Sequence, residues 1–389
     1  MGNTKIPVFL VIALSACTGG QPSDSLVTRT DSAGLSIVEN LGGERPLAWT
    51  FERVLSLGGA DSGAESFFQI VEEGLALGSG GLIFILDVGN RQVHTFDSDG
   101  AHVSTFGNEG EGPGEFYYPA SLILSETGEI VIFDARRRSL LSFTRDGVFS
   151  DEGPGPRSFL GGTTRLFGDT ILYWRRSTDR ETRARTFFLT VATPRDTADL
   201  VTFPLPAASD VSYEECGILN MSLPPLFADP PKWDSRNRVT AISGPPEYDL
   251  RIFRGGKETM RVRRDIEPAE ATLDRAVEYL GEGVKWTIGG GRECWVSPET
   301  VLEKRGVASH IPLVADVAVS PEGWIWVRRN VPGSRGGPID VFDETGAYLG
   351  TLPSDFPWPA AFGVGDQVLS LEEDELDIQR VVLYRIHRG

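Results

Sequence analysis

Few side chains in this chain have a type and spacing suited to chemistry. There are four histidines, His94, His102, His310 and His387, and three cysteines, Cys17, Cys216 and Cys294. No Gly-x-Ser-x-Gly run marks an activated serine. The run Gly110-Glu-Gly-Pro-Gly114 precedes a strand-like segment, whereas a phosphate cradle needs a helix N-terminus. Catalytic zinc wants three protein ligands converging on one point. His94, His102 and His387 lie in segments that read as outer strands, which leaves His310 by itself. Calcium takes several oxygen ligands instead, and Glu72, Glu73, Asp229 and Asp316 stand near the starts of strand-like segments. Glu72, Asp229, Asp316 and His310 are therefore the candidate ligands for calcium or another divalent cation. The plainer reading of each is a solvated polar residue on an acidic chain. The arginine runs Arg136–Arg138, Arg175–Arg176 and Arg261–Arg264 read as partners for the acidic excess. Cys216 and Cys294 form either a disulfide, which persists in exported proteins, or two buried thiols.

Whether such residues meet depends on the elements that carry them. The run Gly81 to Asp87, then Phe96 and Asp99-Gly100, recurs as Gly128 to Asp134, Phe143 and Asp146-Gly147, always 47 residues later. A fixed period of this length, filled with short strands and turn residues, marks propeller blades. Leu82, Phe84 and Leu86 alternate with Ile83 and Ile85, so both faces are apolar, as blades packed face to face require. The Asp-Gly pairs suit tight hairpins. Weaker copies lie at 165–191, 238–256 and 314–346, and the last, 361–386, stops after three strands. Arg53 to Gly58 aligns with the outer strand His102 to Gly107. The N-terminal strand is therefore expected to complete the final blade, which removes the free sheet edge. The expected fold class is all-β, a six-bladed β-propeller closed by an N-terminal strand. Five or seven blades stay open because the middle of the chain is weakly periodic.

Two long connectors, about 204–229 and 265–312, are expected as inserts on one face of the disc. The second should hold the one helical insert: Pro268 suits a first turn, Leu273, Ala276, Val277 and Leu280 fall at helical spacing, and Gly281 can end it. Trp286 and Trp295 lie in that insert, either lining a ligand groove or forming its core. A Cys216–Cys294 bridge would tie both inserts into one lid.

Residues 1–16 read as an export signal, with Lys5 before a short apolar run. Leu14-Ser-Ala-Cys17 resembles a bacterial lipoprotein signal, which implies cleavage before Cys17 and lipid on its thiol. An ordinary signal with an incidental cysteine is the alternative. Residues 17–30 read as a flexible tether and 31–389 as the propeller. The formal net charge of −18 repels phosphate, so nucleic acid is excluded as a partner class. Membrane contact is expected through the lipid anchor alone, in the cell envelope.

The pattern Asp87, Asn90, Arg91, Val93, Phe96, with the connector Gly110 to Phe116 and Pro119, resembles an NHL-type six-bladed propeller repeat. Asp31 to Asn40 resembles the start of six-bladed propeller lipoproteins from bacteria. The second repeat departs at the Asn-Arg pair, having Arg137-Arg138. Asp87 and Asp134 are expected to hold turns or to pair with arginine from a neighbouring blade. Some propellers of this size are metal-dependent hydrolases or lyases with ligands where inner strands open into the channel. The ligand pattern of those enzymes is not reproduced here. The expectation is therefore a binding or interaction module, taking a protein or small-molecule ligand on the insert-bearing face. The alternative is a metal-dependent hydrolase or lyase at the central channel, with the balance leaning against an enzyme.

Overall fold

The computed structural model describes residues 26–59, 67–125, 127–156, 164–193, 195–288, 292–332, 336–373 and 378–389. The apolar, two-faced strands of the repeat form four-stranded antiparallel meanders, six in all among the described residues. Blade 1 comprises Ile70–Leu77, Ile83–Asp87, Gln92–Phe96 and His102–Phe106. Blade 2 runs from Pro119–Leu124 to Phe149–Pro154, and blade 3 from Thr164–Phe167 to Thr197–Leu205. Blade 4 starts at Trp233–Arg236 and ends at Lys257–Arg264; blade 5 starts at Val314–Val319 and ends at Tyr348–Leu352. Blade 6 takes three strands from the C-terminus, ending in Gln379–His387, and its fourth, Thr50–Gly58, from the N-terminus. Ser56 faces Val382 and Leu57 faces Val381 across this closing ladder.

The alternation in the repeat is used as expected. Ile83 and Ile85 pack with Leu369 and Leu383 of blade 6, whereas Phe84 and Leu86 pack with Ile130 and Ile132 of blade 2. Asp87 and Asp134 take the turn-holding role. Asp87 accepts backbone N–H bonds from Phe68, Gln69, Gly89 and Asn90 at 2.8–3.1 Å. Asp134 does the same for Tyr117, Tyr118, Arg136 and Arg137 at 2.6–3.1 Å. Each buried carboxylate thus fixes both the hairpin after its own strand and the chain entering the inner strand.

The N-terminal segment does more than close the ring. Val27–Ser32 and Leu35–Asn40 form a hairpin whose second strand pairs in parallel with the outer strand of blade 4. The first of these strands begins inside the stretch read as tether. Asn40 then donates to the Gly346 carbonyl at 3.0 Å and accepts the Tyr348 N–H at 2.8 Å, both on blade 5. Arg45 and Leu47 exchange backbone bonds with Thr351 before the chain enters blade 6.

The inserts are two hairpins, Ser209–Tyr213 with Ile218–Leu223 and Val284–Ile288 with Arg292–Val296, plus helices α1 (Leu273–Leu280) and α2 (Pro298–Arg305). A disulfide joins Cys216 to Cys294. Helix α1 starts at the Thr272 cap, so Pro268 lies upstream of it. Helix α2 was not expected, although Ser297 capping the Thr300 N–H with Pro298 in the first turn is a standard start signal. Trp286 packs beside Tyr213 in the insert core, while Trp295 is exposed.

Gly107 turns the chain out of blade 1 at φ +85°, and an added Cβ would sit 2.2 Å from the Phe116 ring. Gly58 and Phe67 repeat the arrangement at the closing strand. Gly128 has the same φ but open space. Gly128→Ala should therefore cost only the left-handed backbone penalty, about 1–2 kcal/mol. Gly107→Ala should lose about 1–3 kcal/mol more through overpacking, read as a larger fall in urea midpoint at unchanged m-value.

Candidate active site

The innermost strands of all six blades converge on one polar cavity of about 310 Å³ around the axis. Its charged lining is Glu72 and Glu73 from blade 1, Arg165 from blade 3, Asp234 and Arg236 from blade 4, and Asp316 from blade 5. Trp358 closes it just ahead of blade 6. The ladder register shifts between Ile70 and Leu75, and again between Val314 and Asp316. Such irregularities re-aim side chains, and they fall where Glu72 and Asp316 turn into the channel.

Arg328, from the second strand of blade 5, stands between these two acids. Its Nη2 is 3.1 Å from Asp316 Oδ2 and 3.9 Å from Glu72 Oε1. Its guanidinium lies 4.7 Å from the centre of the Trp358 ring. Trp358 and Glu72 line the same cavity. Burial pushes the Glu72 carboxyl up to about 7, helped by the Asp316 charge and opposed by Arg328. Asp316 is also raised by burial, against Arg328 and Lys232. Burial alone would raise Asp234 too, but Arg165, the Val319 N–H and Arg236 hold it below the usual carboxylate range. Carboxyl groups with opposed shifts in one cavity can divide the roles of proton carrier and fixed charge.

The residues present do not fit a divalent cation. The guanidinium of Arg328 already fills the position between Glu72 and Asp316. Among the described residues, no three or more histidine, cysteine or acidic side chains are grouped to hold a metal ion.

Of the four residues singled out in the sequence, the channel brings together Glu72 and Asp316. Asp229 and His310, taken with them as candidate ligands, are not among the residues lining it. Both line a smaller, proline-rich cavity of about 140 Å³ with Pro204, Pro246 and Pro312. The cause is how the long connectors pair: Leu226 of the first bonds Gly306 and Ala308 of the second, and within the second Glu270 bridges His310. Inner strands begin only afterwards, at Trp233 and Val314. His94, His102 and His387 lie on third and fourth strands, away from the channel. Arg328, Trp358, Arg165 and Arg236 had not been singled out. Alternation through Asp234 and Arg236, two apart on a strand starting with buried Trp233, was the available signal.

Residues 68–158 match the DUF5128 family, described as a 6-bladed beta-propeller. No curated protein matches the sequence. A putative exported protein from Bacteroides fragilis is 13% identical, with 90% of this chain and 99% of that one covered at a TM-score of 0.46. A gluconolactonase from Xanthomonas campestris is 13% identical, covering 93% and 100% at 0.37. A virginiamycin B lyase from Staphylococcus aureus, in a catalytically inactive form with quinupristin, is 11% identical, covering 87% and 99% at 0.36. Enzymes thus stand among the matched propellers, and the leaning against catalysis is corrected: this architecture does not weigh against an enzyme. The chain is an all-β, six-bladed β-propeller.

The raised Glu72 carboxyl has a signed consequence for stability. Its folded pKa of about 7 exceeds the ordinary 4.5, so the folded state bears a cost that is absent below about pH 4.5 and complete above pH 7. Glu72→Gln removes that cost. The variant should be more stable than the parent at pH 8 by about 1–2 kcal/mol, after discounting for its open side. Urea titrations at pH 8 and pH 4 should show this gain shrinking to nothing at the lower pH.

Proposed function

We propose that this propeller is a hydrolase or lyase whose active site is the central channel, with Glu72 moving the proton. The observation that carries this reading is the Glu72 carboxyl, held near neutrality in a polar cavity also lined by Trp358, 3.9 Å from the Arg328 guanidinium. A group with that pKa accepts a proton above neutral pH without being a strong base in water. In a hydrolysis it would take the proton of the attacking water; in an elimination it would take the proton next to a carbonyl. Asp316 acts through Arg328, which it fixes beside Glu72, and is a positioning residue. No step is routed through a metal, because the guanidinium stands where one would be held.

The purified protein should be assayed against small lactones, esters and β-elimination substrates. Turnover of one class should rise with pH through about 7, and Glu72→Gln should reduce it by about 10²–10⁴-fold. Asp316→Asn should shift the pH profile with a smaller loss. Turnover that Glu72→Gln leaves intact, or none in any class, would sink the reading.

We also propose that Cys17, outside the described residues, bears the lipid that holds the propeller in the cell envelope. The signal Leu14-Ser-Ala-Cys17 supports this, and the Asn90–Asp87 bond of 2.8 Å supports the NHL-type reading. Cys17→Ser should abolish palmitate labelling and release the protein from the membrane fraction. Persistent labelling would refute the anchor.

A further inference from the structure

We propose that the Arg165–Arg236 side of the channel seats a carboxylate, so that the substrate is a small organic monoanion. This rests on the channel being a binding site; the catalytic reading enters only in assigning the other end of the molecule to Glu72. Two guanidiniums stand near one carboxylate there, and one of them holds it. Arg165 binds Asp234 through Nε at 2.8 Å and Nη2 at 2.7 Å. The second oxygen of Asp234 accepts the Val319 N–H at 2.8 Å. Asp234 is thereby occupied on both oxygens. Arg236 projects from the same side of the same strand, two residues on. Its hydrogen-bonding contact is the Phe362 carbonyl at 3.4 Å, and its guanidinium lies 5.5 Å from the Phe362 ring centre. Among the described residues it makes no ion pair within 4.0 Å. The nearby Glu322 faces Arg388 at 3.7 Å.

The shifts agree with this geometry. Burial, and then the charge of Arg165, pull Arg236 below the ordinary arginine range, while Asp234 and Glu322 oppose them. Arg236 is half-buried, and a partly desolvated cation without a matched anion is costly. An incoming carboxylate offsets that cost and fits the planar guanidinium fork. A dianion such as phosphate fits less well, because Asp234 and Asp316 face the same space. The cavity is therefore bipolar: a cationic seat formed by blades 3 and 4, and the Glu72–Arg328–Trp358 group opposite.

The test is binding of lactate, lactamide and inorganic phosphate to the purified protein, by calorimetry at pH 7. Lactate should bind at least about tenfold more tightly than its neutral amide, the scale of one charge-assisted pair. Phosphate should bind more weakly than lactate. Arg236→Gln, checked for folding by circular dichroism, should weaken lactate at least about tenfold and leave lactamide unchanged. Equal affinity for lactate and lactamide, tighter binding of phosphate, or full lactate affinity in Arg236→Gln would each overturn the proposal. The lactate–lactamide comparison needs no variant. Lactate binding without turnover of any substrate would refute the catalytic reading while supporting this one.

Discussion

Everything in this molecule depends on one ladder, the antiparallel pairing of Thr50–Gly58 with Gln379–His387. The channel exists only because six inner strands point at one axis, and the ring cannot hold that geometry with an open sector. The contact joins the two ends of the described chain, so its loop-closure entropy is among the largest the fold must meet, although that cost grows only slowly with length. Burial on both faces offsets it: Leu57, Val381 and Leu383 sit in one cluster with Ile83 and Ile85 of blade 1. The N-terminal segment adds further ties. It augments blade 4, spans blade 5 through Asn40 and Arg45, and only then closes blade 6. Three blades are bound by one stretch of backbone.

The same ring explains the chemistry of the channel. Inner strands converge, so side chains from blades far apart in sequence meet in one confined space. Burial there raises Glu72 and Asp316, yet Asp234 stays ionised because Arg165 and the Val319 N–H supply what water would have supplied. Asp340 shows the structural version of this rule. It is fully buried and bound by Arg264 at 2.8 Å and the Tyr248 hydroxyl at 2.8 Å, tying blade 4 to blade 5 outside the channel. Buried charge is present in both places; Asp340 is closed off from solvent, whereas the channel carboxylates border open space.

Much of the architecture was legible in the sequence because the period is carried by residues with no alternative. Apolar alternation, Asp-Gly hairpins and the Asp87/Asp134 turn anchors recur at one spacing, and the orphan strand at 53–58 had one open partner. Glu72 and Asp316 were legible because strand starts can be read from hydrophobicity. Asp229 and His310 misled for the same reason: each precedes a strand, but the two long connectors pair with each other before the inner strands begin. Arg165 and Arg236 sit on inner strands of four residues, too short and polar to stand out. Arg328 lies on a second strand, and its reach back to Asp316 depends on a register slip invisible in one dimension.

The closing ladder also sets an order of events. Thr50–Gly58 is made early, yet its partner Gln379–His387 follows the other five blades in the chain, so the earlier strand must wait unpaired while they form. From the moment Gln379–His387 is made until the two strands pair, the molecule has two complementary sticky edges. A second chain at the same stage offers the same pair, and nothing in the ladder distinguishes the strand of one copy from that of another. Exchange between neighbours, giving rings completed in trans, is thus the characteristic error open to this design. Crowding at a surface, where emerging chains are held close together, would favour it most.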